Sequence, residues 1–271
     1  MVDEPSNTHT IGDVLVVIGD DHVATVTIVR PPDNYFDVAL IAALADAYEL
    51  LDADLRCRAI VLRSEGRHFC AGARLGARPP TAPAGAGAQD PPVDRHLYDE
   101  AIRLFGATTP VVAAVQGAAI GGGLGLAMSA DFRVGTADTR ASANFARLGF
   151  HHGFALTVTL PAVAGAQRAN ELLMTGRRVA GDEAHSIGLL DRLVAPADLD
   201  ASARAFAADI AQSAPLAVAS IRATMRQGLV DQVRMATARE RAEQERLMRT
   251  ADFAEGLAAT AARRTPSFEG R

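Results

Sequence analysis

The sequence predicts an α/β fold. Short β-branched segments alternate with helical ones over about the first 135 residues, and helix follows helix from about residue 167. The chain has 271 residues, of which 49% are hydrophobic and 22% charged. These values are typical of one large or two modest globular domains with a substantial core.

Three strands and one helix are predicted before residue 65, the strands over 14–19, 22–30 and 58–64 and the helix over 37–55. The first two strands are rich in β-branched residues and flank Asp20 and Asp21, a pattern that predicts a hairpin. In the helix, apolar residues recur at helical spacing behind Asp37, a good N-cap residue. The third strand is apolar enough to lie inside a sheet.

A segment rich in Pro, Gly and Ala over 76–92 then predicts a mobile loop, after which the alternation resumes. The elements predicted beyond it are helices over 93–105 and 122–130, strands over 110–117 and 131–135, and further helices over 167–174, 181–187, 199–211, 215–227, 231–249 and 252–263. The last of these are rich in Ala and Arg, which indicates packing or assembly surface.

Composition excludes several classes of function. The net charge of −5 gives no attraction to nucleic acid, and all 27 basic residues are arginine, so Schiff-base chemistry and a P-loop lysine are excluded. The uncharged stretch 104–130 has GxxxG spacing, but Pro110, Gln116 and its many glycines make it a poor membrane helix. Two cysteines, without a CxxC motif or a secretory h-region, favour a reduced cytoplasmic setting.

Small residues follow two apolar strands, over 59–76 and 111–128. Small residues let a ligand approach the main chain, and the first turn of a helix offers N–H groups without internal partners. Neither segment has the GxGxxG pattern of a dinucleotide site. Together they suggest two backbone donors that converge on one anionic oxygen, although tight strand–helix packing explains either segment alone.

Five ordered blocks of this sequence resemble the crotonase superfamily of enoyl-CoA hydratases and isomerases: RPPDNYFD, AIVLRSEGRHFCAGARLG, AAVQGAAIGGGLGLAMSADFRV, ELLMTGRRVAGDEAHSIGLLDRLV and DFAEGLAATAARRTPSFEG. The resemblance as a whole extends over about residues 12–270. The resemblance implies a spiral core of ββα repeats over 1–198 and a C-terminal helical oligomerisation region over 199–271, which builds homotrimers or hexamers. It also implies an acyl-CoA thioester as substrate, with coenzyme A as part of that substrate and no separate cofactor.

The resemblance also carries individual residues. Ala73 and Gly122 stand where the family supplies the two amide N–H groups of an oxyanion hole for the thioester carbonyl. Five further residues match positions that bind coenzyme A, with Ala71 contributing its carbonyl to the adenine: Ala71, Arg30, Arg263, Arg264 and Phe268. For the last three, a solvated helix end is an equally good interpretation.

The sequence departs from the family where hydratases keep two glutamates, since Gly125 and Phe145 occupy those positions and cannot exchange a proton. An aspartate used by other branches falls at Gly153, and that of the dihydroxynaphthoyl-CoA synthases falls at His152. We therefore take His152, or its neighbour His151, as the candidate general base or acid. A metal site at this pair is a weaker alternative, because no motif completes a ligand set.

Several alternatives stay open at this point. The chain could be a non-catalytic acyl-CoA binding protein or a CoA-thioester hydrolase instead of a hydratase or isomerase. His96, Glu100 and Arg103 share one face of a predicted helix and could line an acyl pocket, although a solvated helix face is the simpler interpretation. Arg74 stands where the family has an aspartate, and its role is open.

Overall fold

The computed structural model describes residues 7–74 and 95–271. A seven-stranded sheet forms its centre, in the order β1-β2-β3-β4-β5-β7-β10. Neighbours are antiparallel from β1 to β3 and parallel from β3 to β10. The strands are β1 (Thr8–Ile11), β2 (Val14–Ile18), β3 (Val23–Ile28), β4 (Ala59–Ser64), β5 (Val111–Val115), β7 (Phe132–Thr136) and β10 (Arg192–Val194).

A smaller sheet lies beyond the ends of the central strands. Its order is β6-β8-β9, with β6 (Ala118–Ile120), β8 (Arg140–Ser142) and β9 (Val179–Ala180). β6 follows β5 after only two residues, so the chain passes directly from the large sheet to the small one. The predicted α/β class is confirmed, and its sheet is mainly parallel.

The helices are α1 (Val38–Asp52), α2 (Leu97–Gly106), α3 (Gly122–Ser129), α4 (Leu156–Ala164), α5 (Ala166–Thr175), α6 (Gly181–Ser186), α7 (Leu199–Ala211), α8 (Pro215–Met225), α9 (Leu229–Leu247) and α10 (Ala251–Ala261). The side chain of Asp37 accepts a hydrogen bond from the Leu40 amide at 2.8 Å and so caps α1 as predicted. The sequence did not indicate α4 or the short strands β1, β6, β8, β9 and β10. The predicted loop 76–92 lies outside the described residues.

Both faces of the large sheet are covered. The main core contains the buried face of α1, including Leu40, Ile41 and Leu44, together with Val26 of β3. On the opposite face, the small residues of α7 pack against a second cluster from β3, β4, β5 and β7. The predicted domain boundary at 198/199 stays a prediction, and α7, the first helix after it, lies directly on the sheet of the core.

Candidate functional site

The two glycine-containing segments that follow β4 and β5 lie side by side. The Cys70 amide donates to the Ala118 carbonyl at 2.9 Å, and the Ile120 amide donates to the Cys70 carbonyl at 3.1 Å. Gly72 has a φ of +97°, and a Cβ on it would lie 2.9 Å from the Ile120 carbonyl oxygen, so only glycine fits there. This pairing places Cys70 and Gly72, just before Ala73, against Ile120 and Gly123, which lie on either side of Gly122.

The amides of Ala73 and Gly122 are available as donors. Phe36 forms a parallel bridge with Ala73, in which the Phe36 amide donates to the Gly72 carbonyl at 3.0 Å. This bridge does not use the Ala73 N–H. Gly122 is the first residue of α3, where an amide has no partner within the helix. Neither amide donates a hydrogen bond to any residue within 7–74 or 95–271.

Two phenylalanines cover this face of α3. The ring of Phe36 lies against the Cα of Gly122, where a Cβ would collide with it. One turn later, a Cβ on Gly125 would lie 2.5 Å from the Cβ of Phe154. The two rings meet edge to face with centroids 5.8 Å apart. The surface beside the two amides is therefore apolar, and α3 has no room for a side chain at Gly125.

Phe145, at the second position where hydratases keep a glutamate, is buried in an aromatic row. Its ring lies 5.3 Å from that of Phe150, which in turn lies 5.1 Å from that of Phe253 on α10. Both positions that the sequence analysis found without a carboxylate are thus filled by hydrocarbon.

His151 and His152 lie in the loop between Gly149 and Ala155, and their rings stack at a centroid distance of 4.1 Å. The His152 side chain is 18% exposed, and its Nε2 lies 2.9 Å from Thr157 Oγ1 and 4.0 Å from Glu240 Oε1. Burial, assisted by the neighbouring His151, lowers the pKa of His152 from 6.5 to about 4. His152 is therefore neutral at physiological pH, while the His151 ring nitrogen Nδ1 contacts the His152 carbonyl at 2.8 Å.

Glu240 of α9 is a functional candidate that the sequence analysis missed. Its side chain is completely buried, yet it accepts hydrogen bonds from the Ala155 amide at 2.9 Å, the Thr157 amide at 3.1 Å and the Thr157 hydroxyl at 2.6 Å. Burial raises the pKa of this carboxyl group. Nothing in the sequence pairs Glu240 with a loop more than 80 residues earlier, because α9 has the Glu- and Arg-rich pattern of a solvated helix.

Polar side chains of α2 cap that helix and pair with α1. His96 caps α2 through Nδ1, which accepts a hydrogen bond from the Tyr98 amide at 3.1 Å. Glu100 is 1% exposed and forms an ion pair with Arg103 at 2.5 Å. Arg103 also reaches Asp46 and Glu49 of α1. The interpretation of a solvated face was wrong for Glu100, which is buried beside Arg103, while the possible role of this face in an acyl pocket stays untested.

The residues predicted to bind coenzyme A are spread over the strand end and the tail. The Ala71 amide donates to the Asp33 carbonyl at 2.9 Å, and Arg74 lies 5.3 Å from the centroid of the Tyr35 ring. The guanidinium of Arg30 already forms ion pairs with Asp13 and Asp37, both at 2.5 Å. Its predicted role in binding coenzyme A stays untested.

At the C-terminus, Arg264 pairs with Glu255 at 2.5 Å, while Arg263 is exposed and the Phe268 ring is 42% exposed. The contact of these three tail residues with coenzyme A stays a prediction.

Two other features of the described residues bear on ligands. An open cleft of about 430 Å³ behind the strand ends is lined by Arg67, His68, Gln116 and Arg140, among others, but not by Ala73, Gly122 or His152. In the same part of the chain no group of three His, Cys, Asp or Glu residues is arranged to hold a metal ion.

No helix among the described residues is both long and apolar enough to cross a membrane.

Comparison with known proteins identifies the class to which this fold belongs. The family model for enoyl-CoA hydratase/isomerase matches residues 19–271. The chain is 30% identical to the putative enoyl-CoA hydratase/isomerase YngF of Bacillus subtilis, over 95% of this chain and 98% of that one. It is also 30% identical to the 1,2-epoxyphenylacetyl-CoA isomerase of Escherichia coli, over 92% of this chain and 95% of that one.

A crystal structure of an enoyl-CoA hydratase/isomerase from Pseudoalteromonas atlantica superimposes with a TM-score of 0.83 at 29% identity, covering 95% of this chain and all of the other. The chain therefore belongs to the enoyl-CoA hydratase/isomerase family, within the crotonase superfamily that its sequence resembles. Members of this family act on acyl-CoA thioesters.

Proposed function

We propose that this chain binds an acyl-CoA thioester with its carbonyl oxygen at the Ala73 and Gly122 amides and stabilises an enolate or oxyanion there. The supporting observation is that two amides without hydrogen-bond partners among the described residues lie on the neighbouring segments that follow β4 and β5, beside an apolar surface. Fixed donors in a dry site stabilise a developing negative charge by about 3 kcal/mol each, without the reorganisation that water would need.

In this proposal His152 transfers the proton. Phe154, two residues after His152, packs on Gly125 of α3, the helix that begins at Gly122. A neutral imidazole can remove a proton next to a thioester carbonyl. Hydration is disfavoured, because hydrocarbon fills both positions where hydratases keep glutamates. We therefore propose isomerisation, or another reaction through an enolate, as the chemistry.

A non-catalytic acyl-CoA binding protein is the second candidate. The observation that favours it is the low pKa of His152, about 4, because a base so weak has little driving force to remove a proton at neutral pH. In that case the paired amides serve affinity alone.

A panel of CoA thioesters tests these candidates. Crotonyl-CoA reports hydration, 3-butenoyl-CoA isomerisation and butyryl-CoA thiol release, each beside a binding measurement. We expect isomerisation, and we expect His152→Gln to lower kcat by about 10²-fold or more with little change in binding. His185→Gln is the matched control, since the His185 ring hydrogen-bonds to the Leu190 carbonyl at 3.0 Å, away from the histidine loop. Unchanged turnover in His152→Gln would contradict the proposed base, and tight binding without any turnover would support the binding protein.

We also propose that the C-terminal helices assemble the chain into a homotrimer or hexamer. α8 has no buried residue, and its apolar side chains Leu216, Ile221 and Met225 are 86%, 63% and 80% exposed. Ile221 and Met225 lie about one helical turn apart on the same face of α8, and exposed apolar surface of this kind typically marks a protein interface.

Sedimentation should therefore give three or six times the mass of one chain, and the double variant Leu216→Arg/Ile221→Arg should sediment as a smaller species. Leu55→Arg is the control, because Leu55 is 94% exposed and far from α8 in sequence. A wild-type monomer at micromolar concentration would contradict the proposed assembly.

A further inference from the structure

Glu240, Thr157 and His152 form a chain of two hydrogen bonds, and the state of Glu240 determines which atoms donate along it. The Thr157 hydroxyl lies 2.6 Å from Glu240 Oε1 and 2.9 Å from His152 Nε2. A hydroxyl has one hydrogen to donate. When it donates that hydrogen to the carboxylate, it can only accept from the imidazole.

The surroundings of Glu240 favour this direction. The Ala155 amide points at one carboxyl oxygen and the Thr157 amide at the other, at 2.9 and 3.1 Å. These two amides can only donate, and donors of this kind stabilise the ionised form of the carboxyl group against the cost of burial. An ionised Glu240 can accept hydrogen bonds but cannot donate one.

We propose that Glu240 and Thr157 are positioning residues that hold neutral His152 with its proton on Nε2, so that Nδ1 is the nitrogen that accepts the substrate proton. This inference rests on the proposed role of His152 in proton transfer. Within residues 7–74 and 95–271, Nδ1 of His152 has no hydrogen-bond partner, whereas Nε2 is taken by Thr157. A carboxylate that fixes the tautomer of a base through a hydrogen bond also stabilises the imidazolium formed during the reaction.

The other groups packed around His152 do not compete for this role. The His151 ring stacks on the His152 ring, and its Nδ1 is occupied by the His152 carbonyl. The Tyr98 hydroxyl donates to Gln244 Oε1 at 2.7 Å, and the Gln244 amide nitrogen donates to the His151 carbonyl at 2.9 Å. These contacts hold the backbone of the loop, and among the residues that the structure describes the polar groups near His152 Nε2 are those of Thr157 and Glu240.

Thr157→Val tests the inference with little change in shape. It removes the hydroxyl but keeps the Thr157 and Ala155 amide bonds to Glu240, so the cap of α4 survives. We expect kcat for 3-butenoyl-CoA to fall about tenfold or more, with KM nearly unchanged and the unfolding midpoint close to that of the wild type. Thr157→Ser, which restores a hydroxyl, should recover most of kcat.

The tautomer itself is read by ¹⁵N NMR of the imidazole of the full-length protein, assigned with His152→Gln. The wild type and Thr157→Ser should show the proton on Nε2, and Thr157→Val should show a mixture of tautomers. A wild-type spectrum with the proton on Nδ1, or Thr157→Val with unchanged tautomer and kcat, would overturn the inference. If His152→Gln keeps full turnover while the NMR result holds, the proposed base fails but the tautomer assignment stands.

Discussion

Replacing Glu240 by alanine is expected to destabilise the protein by about 3 kcal/mol, since three donors to a buried carboxylate lose their acceptor at once. The donors are the amides of Ala155 and Thr157 and the Thr157 hydroxyl, and both Phe154 and Ala155 hold positive φ values of about 60° in the segment that these bonds fix. Urea denaturation measures the loss. The stability of Glu240→Gln should lie between those of the wild type and Glu240→Ala, because the amide oxygen of glutamine can still accept some of these hydrogen bonds.

Glu245→Ala is the control for this experiment. Glu245 lies on the same helix, is 55% exposed and forms a surface ion pair with Arg241, so its loss should change the free energy of unfolding by no more than about 0.5 kcal/mol. Equal effects of Glu240→Ala and Glu245→Ala would show that Glu240 does not hold the histidine loop.

Placing glutamate at position 125, where hydratases have one, is expected to destabilise the protein by about 3 kcal/mol or more and to confer no hydration of crotonyl-CoA. The reason is steric and electrostatic: the new Cβ would lie 2.5 Å from the Cβ of Phe154, and its carboxylate would enter a hydrocarbon surface. The measurements are urea denaturation and the hydration assay.

Gly106→Ala, at the end of α2 where nothing lies within 4 Å of an added Cβ, is the control and should be close to neutral. The double variant Gly125→Glu/Phe154→Ala should lose less than the sum of its two single changes, because the two sites share one contact. Wild-type stability together with new hydratase activity in Gly125→Glu would contradict the packing described for α3.

Local sequence patterns predict most of the framework. The β-branched runs and helical spacing place β2, β3, β4 and α1 within a few residues, and Asp37 marks the start of α1. The small residues after β4 and β5 predict two strand ends with accessible backbone. Their lateral pairing through Cys70 and Ala119 is a tertiary contact, which no local pattern contains.

The elements that escaped prediction depend on contacts distant in sequence. α4 contains Pro161 and begins after two residues with positive φ, features that favour a loop, but Glu240 of α9 caps its first turn. Phe36 and Phe154 are ordinary apolar residues in the sequence, and only the fold places their rings on Gly122 and Gly125. The resemblance to the family indicated where carboxylates are missing, but not that hydrocarbon fills the space.

The most direct test of the account is exchange of the α-protons of butyryl-CoA in D₂O, followed by NMR. Exchange requires only that the protein removes an α-proton and stabilises the enolate, whichever overall reaction follows. With His152 as the base beside the Ala73 and Gly122 amides, the wild type should exchange these protons well above the rate in buffer, and His152→Gln should reduce exchange by about 10²-fold or more. Butyryl-CoA that binds the wild type but exchanges no faster than in buffer would contradict the proposed enolate chemistry.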